Sequence, residues 1–222
     1  MNKYELIGII LGDGNIYYNE EKSVYTLEIT GNADEDVEYY QRIKQLLFEL
    51  SAHEPKLKIR HEKLGRSLRL LLYNKEFLKH LIDEGLYFKD KTNSGYVPAK
   101  FLEWNYMKHI LRGFFETDGS LYFTRINNIP KYPRLELKTN SPVLASQFFD
   151  TLHNQGFKVQ RRKMSSDKTH IIYLSGKEQL EKWINEIGFS SLKNKSKYEL
   201  WKKLTFYIPR TSSKERLQIL RR

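Results

Sequence analysis

The sequence predicts an α+β fold of two pseudo-symmetric αββαββα halves, each an antiparallel sheet with helices on one face, packed through two short motif helices. Three observations carry that prediction. A pattern occurs twice in the 222 residues, as Leu6–Gly14 (LIGIILGDG) and Leu111–Gly119 (LRGFFETDG), and a fixed-offset duplication ranks above any finer pattern. Each copy is followed by a polar residue and an apolar-aromatic run, Asn15-Ile16-Tyr17 in one and Ser120-Leu121-Tyr122 in the other. The segments after each copy then repeat in one order, down to Lys75-Glu76-Phe77-Leu78 against Lys177-Glu178-Gln179-Leu180.

Each copy of the motif reads as a short apolar helix that stops at an Asp-Gly and turns into a strand, because glycine tolerates the backbone angles of a sharp stop. Small residues recur four apart, Gly8 and Gly12 in the first helix and Gly113 and Thr117 in the second. Residues four apart share one helix face, and a face without bulk lets two backbones approach closely. If those faces pack together, Asp13 and Asp118, which lie 105 positions apart in the chain, emerge side by side at one end. A lone Asp-Gly is an ordinary turn; two in register are a candidate site.

After the first motif, Val24 to Thr30 alternates as a strand, with Tyr25, Leu27 and Ile29 on one face and Thr26, Glu28 and Thr30 on the other. Asp34 is placed to cap a helix from about Glu35 to Leu50, whose stripe is Val37, Tyr40, Ile43, Leu46 and Leu47. Lys56 to Glu62 and Ser67 to Tyr73 read as a hairpin turning near Gly65, and Lys75 to Glu84 as a helix closed by Gly85. In the second half, Tyr122 to Ile126 and Tyr132 to Lys138 are strands, and Ser141-Pro142 opens a helix to about Gln155. Phe157 to Met164 and Thr169 to Leu174 form a hairpin around Ser165 to Lys168, and Lys177 to Gly188 is a helix. The halves are expected at 1–88 and 105–222 with a linker at 89–104, too short to separate free domains. The charged tail from Thr211 to Arg222 carries no decisive pattern.

Composition narrows the partner. With no cysteine, neither a disulfide framework nor a thiolate metal site exists in the chain. No run of 18 apolar residues occurs and Met1 to Glu5 is no signal peptide, so an intracellular chain with no membrane partner is expected. Net charge is +11, and 38 Lys and Arg interleaved with 15 Tyr favour nucleic acid. Hairpin connections make the sheets antiparallel, with one face under helices and one open. In the first half the open face carries Thr26, Glu28, Thr30, Lys56, Lys58, Arg60 and Arg69; in the second, Tyr132, Arg134, Glu136, Lys138, Lys158, Gln160 and Arg162. Such Lys, Arg, Gln, Thr and Tyr side chains donate to guanine edges and phosphates, and a sheet of them fits the major groove of double-stranded DNA. Asp13 and Asp118, beside Gly12 and Thr117, are the candidate metal-binding positions, and carboxylate oxygens suit Mg²⁺, with Mn²⁺ or Ca²⁺ as substitutes.

The two motifs resemble those of the LAGLIDADG homing endonucleases, in the single-chain class that carries two per polypeptide. The sequence departs where that family places an earlier Asp, with Leu11 and Glu116 standing there. The resemblance implies a monomeric Mg²⁺-dependent nuclease, with Asp13 and Asp118 as catalytic acids, acting on a long asymmetric DNA target and on no small molecule. It further implies short 3′ overhangs and coding within an intron or intein. Lys89-Asp-Lys-Thr92 and Lys193-Asn-Lys-Ser196 recur after the last helix of each half, and by the resemblance Lys91 and Lys195 are candidate catalytic lysines. The resemblance also calls for a water-positioning residue, in a region occupied here by Gly31 or Asn32 and by Thr139 or Asn140. A protein of the same fold that binds an intron RNA, or DNA without cutting, is the rival expectation.

Overall fold

The computed structural model describes residues 1–62, 65–164 and 168–222. The first half runs α1 (Lys3–Leu11), β1 (Gly14–Asn19), β2 (Val24–Asn32), α2 (Val37–Ser51), β3 (Lys56–Glu62), β4 (Gly65–Leu72) and α3 (Lys75–Asp83). A connection with a short α4 (Lys91–Ser94) and a 3₁₀ turn (Ala99–Phe101) leads to α5 (Trp104–Asp118). The second half continues with β5 (Gly119–Ile126), β6 (Ile129–Thr139), α6 (Pro142–Asn154), β7 (Gln160–Lys163), β8 (His170–Ser175) and α7 (Lys177–Glu186). Two helices follow, α8 (Leu192–Leu204) and α9 (Ser213–Arg221). Each half is thus αββαββα, and the sheets have matching antiparallel orders, β1-β2-β4-β3 and β5-β6-β8-β7.

The local signals explain most boundaries. Asn2 caps α1 by accepting from Glu5 N at 3.0 Å, Asn74 caps α3 through Phe77 N at 3.0 Å, and Ser141 caps α6 through Leu144 N at 3.2 Å with Pro142 at the first helical position. The α2 boundary differs from expectation. Asp34 does not cap it; its carboxylate is drawn into an ion pair with Arg66, and the helix begins at Val37 after Asp36. The strand expected from Phe157 begins only at Gln160, because Lys158 N is taken by the Gln179 side chain of α7 at 2.8 Å. The turn expected around Ser165 to Lys168 lies largely outside the described residues. The tail that the sequence left open is helical, with a capping box between Ser212 and Glu215.

The halves meet through α1 and α5, and the packing there is set by glycine. A Cβ built on Gly8 would lie 2.0 Å from the Ile110 carbonyl oxygen, and one on Gly113 would lie 2.0 Å from that of Glu5. The two backbones are therefore in reciprocal contact. Leu6, Ile9, Ile10, Leu111, Phe114 and Phe115 surround this seam in one buried core that spans both halves. Glu5 is fully buried beside the seam, held by Arg112 at 3.0 Å and by the Tyr39 hydroxyl at 3.4 Å. A buried carboxylate needs such partners to offset its lost hydration.

Glu116, also buried, ties α5 to the start of α8. Its carboxylate accepts from Ser190 N at 2.5 Å, Ser191 N at 3.0 Å, the Ser191 hydroxyl and Asn194 Nδ2 at 2.7 Å. An anion there satisfies the free N–H groups of a helix N-terminus. From the far end, Arg216 of α9 is 1% exposed and donates to Ser196 Oγ, the Tyr207 hydroxyl, the Thr211 and Lys193 carbonyls, Ser213 Oγ and Glu35. Glu35 belongs to the first half, so the last helix straps α8 onto it.

Gly8→Ala or Gly113→Ala forces the seam apart, since a methyl group at 2.0 Å from a carbonyl oxygen has no room. Each is expected to cost at least about 3 kcal/mol, measured as a lowered urea midpoint. Gly65→Ala has open space around the new methyl group and loses far less, through backbone strain alone at φ +142°.

Candidate active site and nucleic-acid interface

Asp13 follows the end of α1 and Asp118 is the last residue of α5. The glycine seam carries the two helix ends into contact. A Cβ on Gly12 would meet Thr117 Oγ1 at 2.0 Å and Asp118 Oδ2 at 3.3 Å. The structure thus brings Asp13, Gly12, Thr117 and Asp118 together, as the paired small faces predict. Thr117 turns its hydroxyl back to the Phe114 carbonyl at 2.9 Å.

Both carboxyls are hard to ionise. Asp13 is pushed up to about 7, first by burial and second by the Asp118 charge. Asp118 is open to solvent on one side but walled by protein on the other, and that burial raises it while Lys91 opposes. Lys91, at the start of α4, donates its ammonium to the carbonyls of Ile10 (3.1 Å), Gly12 and Gly14. Burial lowers its pKa, with Asp118 and Asp13 pulling the other way. The linker therefore delivers a cation to the end of the first motif helix.

Lys195 does not join this group. It is exposed on α8, whereas Lys193 forms an ion pair with Asp36 at 2.9 Å and Lys197 donates to the Leu121 carbonyl at 3.2 Å. Residues 193 and 197 are one turn apart and share a face; residue 195 falls nearly opposite. Lys197 is pushed down to about 8, by burial first and then by Arg216 and Lys193. The i, i+4 spacing was visible in Lys193-Asn-Lys-Ser-Lys197, but which turn of α8 faces inward depends on Glu116 holding the helix start.

Two open clefts flank the carboxylates. The Asp13 cleft is lined by Tyr17, Glu28, Thr30, Gly31, Arg60, Ser67 and Arg69. The Asp118 cleft is lined by Gly12, Lys91, Thr92, Lys138, Thr139, Asn140 and Thr169 among others. Asn140 accepts from Thr169 Oγ1 at 2.9 Å. A separate apolar crevice of about 110 Å³ between α1 and α3 holds none of these groups.

On the first sheet the register sets Lys58 beside Arg69 and Arg69 beside Thr30, with Arg60 beside Ser67 and Lys56 beside Leu71. Thr26 and Glu28 share that face. On the second sheet Tyr132, Arg134, Glu136 and Lys138 run along β6, with Gln160 and Arg162 on β7. Arg134 bonds Ser175 Oγ at 2.5 Å and lies over the Tyr132 ring at 5.3 Å. Lys158 lies outside β7, and its ammonium pairs with Glu178 of α7 at 3.4 Å. Glu28 and Glu136 are not free contact groups. Glu28 pairs with Arg69, and Glu136, 6% exposed, accepts from the Tyr122 hydroxyl at 2.6 Å and faces Arg162 at 3.4 Å and Lys138 at 3.7 Å. Tyr17 and Tyr122, each four residues past a motif Asp, were missed in the sequence although the repeat pairs them.

Oxygen donors suited to a hard divalent cation therefore meet at the helix ends, and an ammonium already sits on the adjoining carbonyls. Among the described residues no group of three or more His, Cys, Asp or Glu is placed to hold a metal. The two aspartates are thus the anionic ligands on offer, which fits an ion that keeps waters and takes phosphate oxygens. Among the described residues no helix is long and apolar enough to cross a membrane.

Two αββαββα halves joined through motif helices that end in carboxylates define the LAGLIDADG fold. Residues 105–188 match the family model described as a LAGLIDADG-like domain. The chain also superposes, over 83–84% of its length, on solved homing endonucleases. Mesophilic variants of the homing endonuclease I-DmoI match at TM-score 0.58 and 15% identity, over 83% of this chain and 93% of that one. The homing endonuclease I-WcaI bound to its DNA recognition sequence matches at TM-score 0.60 and 19% identity, over 84% of this chain and 81% of that one. The N-terminal LAGLIDADG domain of DUF199/WhiA matches at TM-score 0.54 and 15% identity, over 84% of this chain and 82% of that one. I-DmoI structures hold DNA with Mn, with Mg and with Ca. No curated protein sequence matches the chain.

The raised Asp13 has a consequence for stability. Its folded pKa of about 7 lies above the ordinary 3.8, so between those values the folded chain holds a proton that the unfolded chain has released. Stability is therefore lost as pH rises through that window. Asp13→Asn is expected to stabilise the metal-free protein at pH 8 by roughly 1–3 kcal/mol for a partly buried group, seen as a higher melting temperature, and to change nothing at pH 3. Thermal denaturation at both pH values in EDTA measures it.

Proposed function

We propose that the protein is a site-specific double-strand DNA endonuclease of the homing type, acting as a monomer with Mg²⁺. The observation that carries this reading is the pair Asp13 and Asp118, close enough for Asp118 to raise the pKa of Asp13, set between two basic open sheet faces. The I-DmoI complexes with DNA and Mn, Mg or Ca support divalent-ion use by this fold, and the I-WcaI complex supports a DNA partner. Because the two open faces differ residue by residue, the target is asymmetric rather than palindromic.

Asp13 and Asp118 would hold the ion, with Gly12 and Thr117 beside them. When bound, a divalent cation supplies charge neutralisation at the scissile phosphate and a more acidic water. The chain's own groups do the rest. The two sheets fix the duplex so that one phosphodiester faces each aspartate, which is positioning catalysis. Lys91, on the carbonyls at the end of α1 and attracted by both aspartates, stands where it can oppose charge building on the phosphate. On the α8 side, Lys193, whose charge acts on Asp13 and which pairs with Asp36, is the candidate in place of Lys195.

Asp13→Asn and Asp118→Asn keep shape but remove the charge that retains the ion. Either change is expected to abolish double-strand cutting of a plasmid carrying the target, with nicking as the most that survives. Specific binding in a gel-shift titration should persist, because the sheet faces are untouched. Full linearisation by either variant would remove both residues from the catalytic role. Binding affinity should also fall steeply with salt, with a log–log slope of several units for several phosphate contacts. A slope near zero would remove DNA as the partner.

A further inference from the structure

The duplication places one glutamate at the same point of each open sheet face. Glu28 pairs across β1 with Asn15, and Glu136 pairs across β5 with Ser120; Asn15 and Ser120 each directly follow a motif glycine. Neither glutamate is free to meet DNA. The Glu28 side chain is 12% exposed and takes the Arg69 Nε, and that hydrogen bond holds its carboxyl below the usual range. Glu136 takes the Tyr122 hydroxyl at 2.6 Å and Arg162 Nη2 at 3.4 Å, while the Arg162 guanidinium lies over the Tyr173 ring at 5.6 Å.

Arginine on an exposed sheet carries several loose torsions, and ordering them on binding costs affinity and blurs recognition. Here the ordering is done in advance. With Nε on Glu28, neither Nη group of Arg69 has a hydrogen-bond partner among the described residues, and the same side chain lines the cleft that holds Asp13. Arg162 is likewise tethered by one Nη group and stacked on a ring, with its side chain 59% exposed. A planar fork of N–H donors with a fixed direction fits the O6 and N7 acceptors of guanine in the major groove. The carboxylate also makes the local face less attractive to phosphate, which separates base reading from backbone gripping.

We infer that Glu28 and Glu136 are positioning residues that hold Arg69 and Arg162 to read one guanine in each half-site, on the part of each sheet nearest the aspartates. This rests on the DNA-binding reading above. The two arginines come from different strands, β4 and β7, so the two guanines need not stand at mirror-related positions. The asymmetry of the target would then begin close to the cut.

The test selects bound sites from a randomised duplex library in Ca²⁺, using the full chain, Glu28→Gln, Arg69→Lys and Glu136→Gln. Circular dichroism melts check that each variant folds. For the unaltered protein, a defined site with a guanine preference in each half near its centre is expected. Arg69→Lys keeps the charge but loses the fork, so the preference at one base pair should fall about ten-fold while the salt slope stays the same. Glu28→Gln should weaken the preference at that same base pair, and Glu136→Gln should act in the other half. If the full chain selects a site but the variants return the same base profile, the inference is overturned and the DNA-binding reading stands. A loss spread evenly over all positions makes these arginines phosphate contacts and overturns the inference in the same way. If the full chain selects no site, both readings fall together.

Discussion

The structure depends on the approach of two helix backbones, allowed by glycine at positions 8 and 113. That contact has several consequences at once. It joins the halves into one core, it sets the two helix ends against each other, and it places Asp13 and Asp118 where each feels the other. Repulsion between carboxylates and the loss of water around them oppose folding of the metal-free chain. Burial of Leu6, Ile9, Ile10, Phe114 and Phe115 around the seam offsets that cost, as apolar area removed from water does generally. A polar, repulsive site is thus held at the end of an apolar seam.

The elements outside the two repeats tie the site together. The connection between the halves is part of the site, since Lys91 lies on it and reaches back to three carbonyls at the end of α1. On the other side, Glu116 holds the start of α8 and Arg216 holds its flank to Glu35. This leaves Lys193 on Asp36 and Lys197 on the Leu121 carbonyl. The motif position where the family has an earlier acid thus has two uses here. Leu11 is buried apolar packing in the first helix, and Glu116 is the anchor for a helix in the second. Pseudo-symmetry in the backbone does not extend to these supports.

Much was legible in the sequence because it depends on neighbours along the chain. The duplicated motif, the period-two strands, the Ser141-Pro142 cap and the small faces of α1 and α5 are local patterns with local causes, and the structure has all of them. The two-half α+β architecture followed from their repetition. Composition together with the placement of Lys and Arg on the open faces favoured a polyanion.

Other features depend on groups distant in sequence. Asp34 looked like a cap until Arg66, 32 positions on, claimed its carboxylate. Lys158 looked like a strand residue until Gln179 took its backbone N–H. Lys195 sat in a stretch that echoes Lys89 to Thr92, but helix phase is set by what anchors the helix, and Glu116 turns residues 193 and 197 inward instead. Glu28 and Glu136 read as exposed polar positions, and only the arrangement of neighbouring strands half-buried the first, buried the second and gave each cationic partners. The sequence by itself determined the repeat, the elements and the two carboxylates, because those are written in spacing and small residues. Tertiary structure alone decided which cations meet them and which side chains are free to touch a ligand, because hydrogen bonds and ion pairs across the fold outcompete local preference.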